Sequence, residues 1–392
     1  MESPELPLTR RSRRIEFHRE ALPPLPILER EWRRLEAAGN ASFFTSWHWI
    51  GTLLAALPPT CQPKLLRGSA NGVTVALALL GAGETRRRRR LVRSRGLYVN
   101  ETGDPRFDSL TIEHNGILAM AEWEPAVCGE LISWFAGLHP EADELHIGGS
   151  LRRLPETALR SYGLGCRETS VASYSVDLCR LEDSGGELYP VLSANARQQL
   201  RRAVRDFERF GALRLSEATN TAEAFSFFDA MKRLHCASWE RRCRPHSFVG
   251  EFFEPFHRLL IERSFGAGGT QLLQASAGAR VLGYLYNFRL GNRVYAYQSG
   301  FDDAEGRERP GFVTHFLAIR HAFRSGAQVY DFMAGRNRLK ASFATRCEPM
   351  LWQVIQQPRF AFRLEHLASR LKQTFVQSNR NSPSPHLIVK RR

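Results

Sequence analysis

The sequence has little of what marks an exported, metal-binding or membrane-spanning protein. Its longest apolar stretch covers residues 73–82, whereas a membrane helix needs roughly 20 apolar residues. No long apolar run follows the N-terminus, as it would in a cleavable signal. The seven cysteines are scattered and contain no C-x-x-C pair, which argues against a disulfide framework and a zinc module. We therefore expect a soluble, cytoplasmic protein that uses no metal.

Lysine is scarce although positive charge is abundant. The net charge is +15, and five of the 55 basic residues are lysines. Such an excess of cations can indicate a nucleic-acid or anionic-membrane binder. Because arginine is used throughout the chain, we favour an arginine-coated surface with a few phosphate-binding spots, and nucleic acid is not the expected partner.

The chain of 392 residues is longer than a usual single domain and predicts two or three domains. Short apolar runs and three helical patterns, over 27–38, 47–56 and 117–138, indicate mixed α/β structure in the first half. Gly185 and Gly186 interrupt the pattern at the predicted boundary. The predicted segments are a disordered arm (1–14), an N-terminal lobe (15–182), a C-terminal lobe (187–375) and a disordered basic tail (376–392).

The second half has the more informative order of elements. Helices are predicted over residues 195–210, 222–239 and 251–264, with Ser193 as the cap of the first. Strands are predicted over 270–275, 281–290 and 293–301, and Gly291-Asn292 joins the last two as a hairpin. A Gly/Pro loop, a helix over 312–325 and a strand over 328–333 follow.

The loop before the helix at 312–325 has the composition of a phosphate site. Unpaired backbone N–H groups and the helix dipole attract anions at a helix N-terminus. Pro310 suits the first helical turn, Gly311 permits close approach of a ligand, and Arg307 and Arg309 can pair with phosphate oxygens. The alternative is an ordinary turn followed by a helix start.

The C-terminal half resembles a known family through five motifs in the same order. They are LSANARQQLRRAVRDFERFG (192–211), LHCASW (234–239), YAYQSGFD (295–302), RPGF (309–312) and YDFMAGRNRLKASF (330–343). These motifs are similar to those of the CelD/BcsL-type, BioF2-like acetyltransferases of the GNAT superfamily, relatives of the Fem aminoacyl transferases. The N-terminal half resembles the same proteins through FFTSWHWIGTLL (43–54).

The resemblance implies an α/β (α+β) fold of two tandem GNAT-like lobes, each a mixed, mainly antiparallel sheet flanked by helices. It also implies acetyl-CoA, or another acyl-CoA, as co-substrate in the second lobe. The acceptor would be a small-molecule or glycan amine, such as an amino sugar or an envelope or exopolysaccharide precursor. Two departures are Leu339, where the family commonly has an aromatic residue, and a loop without the usual Arg/Gln-x-x-Gly-x-Gly/Ala signature.

Three residues are candidates for catalysis, each with a structural alternative. Asp331 could orient or deprotonate the acceptor amine, or tie down a Gly-containing turn. Lys340 could contact donor phosphate or offset charge on the thioester oxygen, or lie on the surface. His235 could act as general base, or belong with Trp239 to a packed helical face.

The remaining candidates concern binding. Besides Arg307, Arg309, Pro310 and Gly311, the expected cofactor-binding residues are Phe312, Tyr297 and Ser299, where the strand residues could equally fill a core. Trp239 and Trp47 are the expected acceptor-binding residues.

Other mechanisms and functions stay open at the level of sequence. Cys236, Cys243 and Cys347 raise a covalent route, but direct transfer is more economical. A Fem-like transferase that takes its aminoacyl group from charged tRNA is one alternative. A catalytically degenerate GNAT pair that binds a partner in polysaccharide synthesis is another.

Overall fold

A computed structural model describes residues 14–87, 92–303 and 309–362 of the chain. The predicted arm apart from residue 14, the predicted basic tail and Arg307 lie outside these residues. The strands are β1 (Glu16–Glu20), β2 (Lys64–Ala70), β3 (Val73–Arg87), β4 (Val92–Val99), β5 (Leu118–Ala119), β6 (Glu144–Ser150), β7 (Gly165–Asp177), β8 (Leu213–Glu217), β9 (Thr270–Ala277), β10 (Arg280–Leu290), β11 (Arg293–Phe301), β12 (Val329–Ala334) and β13 (Arg346–Gln356).

The helices flank these strands on both faces. They are α1 (Leu25–Ala38), α2 (Trp47–Ala56), α3 (Glu124–Ala136), α4 (Glu156–Ser161), α5 (Ala194–Glu208), α6 (Thr221–Arg241), α7 (Phe253–Ser264), α8 (Pro310–Arg324) and α9 (Arg338–Phe343). None of these described helices is both long enough and apolar enough to cross a membrane.

Side-chain caps fix several helix starts in the second half. The predicted cap Ser193 accepts a hydrogen bond from the backbone N–H of Ala196 at 3.2 Å, and Asn220 does the same for Glu223 at 2.9 Å. At α2, Ser46 occupies the N-cap position, but its hydroxyl donates to the Phe43 carbonyl and does not cap the helix.

The strands form one sheet in the order β1-β2-β3-β4-β6-β13-β7-β12-β11-β10-β9-β8, and β5 pairs with β3. Neighbours are antiparallel except for the pairs β4–β6 and β11–β12. Each parallel pair is joined through a crossover that includes one long helix, α3 or α8. This repeat confirms the predicted α/β fold of two tandem GNAT-like lobes.

The two lobes exchange their last strands, which the sequence pattern does not predict. The first lobe's last strand, β7, pairs with β12 of the second lobe. The last described strand of the chain, β13, lies between β6 and β7 and pairs with β7 over eleven residues, from Arg346↔Ser175 to Gln356↔Gly165. The lobes are therefore interlocked, and a cut at the predicted boundary would separate each from one of its strands.

Aromatic packing closes the junction between the lobes. The rings of Phe43 and Phe288, one from each lobe, stack with centroids 4.3 Å apart. Trp49 is fully buried between Phe44 at 4.8 Å and Phe256 at 4.9 Å. Burying one such side chain contributes about 2–3 kcal/mol, so the junction is part of the hydrophobic core and not a loose domain contact.

Candidate active site

The parallel strands β11 and β12 stay paired over only three residues, from Arg293↔Val329 to Tyr295↔Asp331. Beyond them, β11 carries a bulge: Tyr286 lies opposite Gln298 and Asn287 opposite Ala296, so that Tyr297 has no partner on β10. A bulge leaves an extra residue unpaired and bends its strand. Together the bulge and the divergence open a cavity of about 950 Å³ between the two strands.

Six elements line this cavity: α5, α6, α8, α9, β11 and β12. The lining residues that the sequence analysis singled out are His235, Trp239, Tyr297, Ser299, Arg309, Pro310, Gly311, Phe312 and Lys340. The structure thus brings nine of the twelve candidates together. Arg307 lies outside the described residues, and Asp331 and Trp47 do not line the cavity.

The N-terminus of α8 forms one end of the cavity. Pro310 occupies the first helical turn, and the Arg309 guanidinium donates to the side-chain oxygen of Gln199 on α5. A Cβ atom on Gly311 would meet the Phe301 ring at 3.0–3.2 Å. Glycine therefore keeps this turn close to β11. Because Pro310 has no N–H and the Phe312 N–H donates to the Arg309 carbonyl at 3.0 Å, the Gly311 N–H is the one that the start of this turn offers to an anion.

His235 lies on α6, which also lines the cavity, and is 7% exposed. Its Nδ1 is 2.9 Å from the carbonyl oxygen of Ser299. Because a carbonyl only accepts, Nδ1 carries the proton and Nε2 carries a lone pair, and Nε2 has no hydrogen-bond partner among the described residues. Burial lowers the pKa of His235, although the Ser299 carbonyl acts in the opposite direction. The neutral imidazole can therefore accept a proton at neutral pH.

Asp331 is buried beside the cavity, and both of its carboxylate oxygens have partners within the protein. Its Oδ2 lies 2.7 Å from Nη1 of Arg293 and 3.0 Å from Nε2 of His114, and its Oδ1 accepts from the backbone N–H of Met333 at 2.7 Å. Burial alone would raise the pKa of Asp331, but His114 and Arg293 outweigh it and the pKa is lowered. These contacts agree with the structural alternative, in which Asp331 holds the turn after β12.

Lys340 folds back onto the same turn. Its Nζ donates to the carbonyl oxygen of Ala334 at 2.6 Å and to that of Met333 at 3.3 Å. Glu113 of the first lobe accepts from the Ala334 N–H at 2.7 Å. Burial lowers the pKa of Lys340 and raises that of Glu113, while each charge acts against the shift of the other. Lys340 is thus a partly buried group at the cavity wall whose ammonium is held by two backbone carbonyls.

The sequence did not predict a role for three residues of this site, Glu113, His114 and Arg293. The first two belong to the loop TIEHNG (111–116), and His114 has a φ of 50°, a conformation uncommon outside glycine. The sequence feature that could have pointed to this loop is its Asn-Gly turn, which directly follows two titratable residues. Nothing in the sequence pairs this loop with β12, because the contact spans 221 residues.

Two predicted binding residues have other contacts. The Tyr297 hydroxyl donates to the Leu110 carbonyl in the first lobe, and burial raises its pKa well above the ordinary value. Trp47 is 4% exposed and packs against Trp32, with ring centroids 6.2 Å apart. The structure therefore places Trp47 in the core at the lobe junction, away from the cavity.

The cavity beside the parallel strands of the first lobe is much smaller. Beside β4, β6 and α3 there is a cavity of about 180 Å³. Glu124 stands at the first turn of α3, where its carboxylate pairs with Arg152, and the Gln353 side chain bridges the backbone of Leu154 and Arg152. An anion at this helix start would meet a carboxylate, so the second lobe offers the better phosphate site.

The comparisons with known proteins agree with this geometry. A family model described as an acetyltransferase (GNAT) domain matches residues 194–341. No curated protein sequence gives a significant match. The second lobe therefore carries a match to a GNAT-type acetyltransferase domain, and the described strands and helices form a tandem GNAT-like fold.

Two solved structures resemble nearly the whole chain. FemX has a TM-score of 0.55 at 9% identity and covers 86% of this chain and 96% of its own. The DUF2156 C-terminal domain of a protein named as a lysylphosphatidylglycerol synthetase, from Agrobacterium fabrum, has a TM-score of 0.50 at 12% identity and covers 85% and 93%. At these identities the likeness concerns the fold alone.

Proposed function

We propose that the protein is an acyl-CoA-dependent N-acyltransferase that transfers an acyl group, in the first place acetyl, directly to an amine. The observation that carries this proposal is the cavity between the diverging strands β11 and β12. It is lined both by a helix N-terminus with Arg309 and by a neutral histidine whose Nε2 lone pair has no partner among the described residues. The domain match supports the reaction class.

The donor would enter at the α8 end. The Gly311 N–H and the Arg309 guanidinium would hold its phosphates. Its acyl arm would run between β11 and β12, where the two strands leave a gap. The bulge at Tyr297 frees backbone of β11 from the ladder, and a free N–H here would stabilise negative charge on the thioester oxygen.

The acceptor amine would enter at the His235 and Trp239 side. Its nitrogen forms the bond to the acyl carbon, the carbon–sulfur bond breaks, and the sulfur leaves as thiolate. His235 Nε2 takes the proton that the amine loses. The amine proton thus ends on the imidazole, which can pass it on to the thiolate, and no acyl-enzyme is required.

For the acceptor we propose an amino sugar or an envelope or exopolysaccharide precursor with a free amine. This narrower assignment is supported by the resemblance of residues 192–343 to the CelD/BcsL-type acetyltransferases. It predicts that amino sugars are among the amines that react.

A transfer assay tests the proposal. The purified chain is incubated with acetyl-CoA and one primary amine at a time, amino sugars included, and release of free thiol is followed. We expect thiol release that requires both the amine and the enzyme, with the acetylated amine identified by mass. Thiol release that does not depend on any amine would contradict the proposal.

One observation favours an aminoacyl-tRNA donor as the second candidate. On α5, Arg197, Arg201 and Arg205 follow one another at helical spacing beside an open cavity of about 730 Å³, and no carboxylate among the described residues pairs with them. Such a row suits a phosphate backbone. Charged tRNA that binds more tightly than acetyl-CoA and supports transfer would favour this candidate.

A further inference from the structure

A further cavity, of about 370 Å³, lies in the first lobe between the loop after β4 and the strands β6 and β13. None of its lining residues belongs to the large cavity of the second lobe. The parallel pairing of β4 with β6 ends at Tyr98↔His146, and the two rings stack 4.3 Å apart at its edge. The cavity is therefore a separate feature of the first lobe.

Two carboxylic acids, Glu101 and Asp108, and no lysine or arginine are among the described residues that line this cavity, although the protein as a whole is strongly basic, with a net charge of +15. Asp108 is satisfied by the backbone N–H groups of Thr102 and Gly103, both at 2.7 Å. Glu101 has no hydrogen bond or ion pair among the described residues, so its carboxyl group is left for another partner.

An aromatic side chain with a free donor stands next to this carboxyl group. A Cβ atom on Gly148 would lie 3.3 Å from Oε2 of Glu101, 3.1 Å from Cδ1 of Trp352 and 3.3 Å from its Nε1. The acid and the indole edge thus meet over a bare glycine backbone. The indole N–H also has no acceptor among the described residues.

The surroundings of Glu101 favour a cationic partner. Burial, with a smaller effect of Asp108, raises the pKa of Glu101 to about 8, so this acid is mostly protonated at neutral pH unless a cation lies beside it. A carboxylate in such surroundings is stabilised by a positive charge at hydrogen-bond distance.

We propose that this cavity binds a small molecule that carries a primary ammonium group next to a hydroxyl, as amino sugars and amino alcohols do. Glu101 accepts hydrogen bonds from the ammonium group. The Trp352 indole N–H donates to the hydroxyl, and its ring contacts the carbon skeleton. The site is independent of acyl transfer in the second lobe, because it shares no residue with that cavity.

Calorimetric titration of the full chain with glucosamine and with glucose tests the proposal. The two sugars differ at one position, so the difference reports the ammonium group. We expect saturable binding of glucosamine and binding of glucose at least about tenfold weaker, since hydrogen bonds between charged groups are the strong ones. Glu101→Gln should weaken glucosamine binding by about the same factor, and exposed Glu156→Gln is the matched control.

Two further variants keep the test decisive if Glu101→Gln folds poorly. Gly148→Ala places a methyl group against the Glu101 carboxyl group and the Trp352 indole and should block the binding of glucosamine. Trp352→Phe removes only the indole donor and part of the ring and should weaken glucosamine binding. Equal affinity for both sugars, or the absence of saturable glucosamine binding, would overturn the proposal.

The second lobe provides the remaining control. Glucosamine binding that is lost in Trp239→Ala but kept in Glu101→Gln would assign the amine to the large cavity and overturn the site in the first lobe. Acetyl-CoA titrated into the same variants separates the two ideas, because neither Glu101→Gln nor Gly148→Ala should alter donor binding.

Discussion

Replacing His235 with asparagine removes the proposed base while keeping its anchor. The asparagine amide reaches about where Nδ1 stands and can still donate to the Ser299 carbonyl, now 2.9 Å from Nδ1. The lone pair of Nε2 is lost. Since a positioned general base contributes about 10²- to 10⁴-fold, we expect kcat to fall by a factor in this range and acetyl-CoA affinity to change little.

The pH profile gives a second readout of the same change. Burial lowers the pKa of His235, so wild-type activity should persist below the ordinary titration range of histidine and fall on further acidification, when Nε2 is protonated. The asparagine variant should lack this acidic limb. A purely structural role of His235 would lower activity at every pH alike.

The assay is amine-dependent thiol release at saturating acetyl-CoA, with donor affinity measured separately. His235→Gln is the companion variant, because its longer amide does not reproduce the bond to Ser299. A folded His235→Asn protein with activity within about twofold of wild type, a difference of only about 0.4 kcal/mol, would refute the role of His235 as base.

Three further predictions concern the surrounding network. Asp331→Asn removes the charge that Arg293 and His114 face and should reduce the free energy of unfolding by about 3 kcal/mol in denaturant titration. Because the pKa of Asp331 is lowered in the folded protein, this loss of stability should shrink as pH falls through that pKa. A loss of stability that does not depend on pH would contradict the ion pairing. Lys340→Met keeps the stem but loses the ammonium group, so kcat should fall about 100-fold if it offsets charge on the thioester, whereas unchanged kcat would leave it a structural role at the turn. Trp49→Ala leaves a cavity at the lobe junction and should lower the free energy of unfolding by about 4 kcal/mol. A decrease of less than about 1 kcal/mol would show that the two lobes do not share one core at this junction.

Local patterns allowed much of the second lobe to be predicted. The Gly291-Asn292 hairpin is confirmed by the pairing of Leu290 with Arg293 between β10 and β11, because a two-residue turn determines its own register. The Ser193 cap and the helix after Pro310 also depend on neighbours in the sequence. These elements place the cavity, so its wall residues could be named before the structure was known.

Long-range contacts could not be predicted in this way. The sequence of β13 does not indicate that it pairs with β7, 171 positions earlier at Arg346↔Ser175. The contact of Glu113 with Ala334 and that of His114 with Asp331 depend on this interlocked arrangement. Trp47 was expected at the acceptor because aromatic residues serve both cores and binding sites, and its burial against Trp32 is set by α1.

Calorimetric titration of the intact chain with acetyl-CoA at moderate salt tests the central claim most directly. Arg309→Ala is the informative variant, and Arg160→Ala, an exposed arginine of the first lobe, is its control. The account predicts saturable binding that weakens by roughly three- to tenfold in Arg309→Ala and is unchanged in Arg160→Ala. Absence of acetyl-CoA binding by the folded wild-type protein would contradict it.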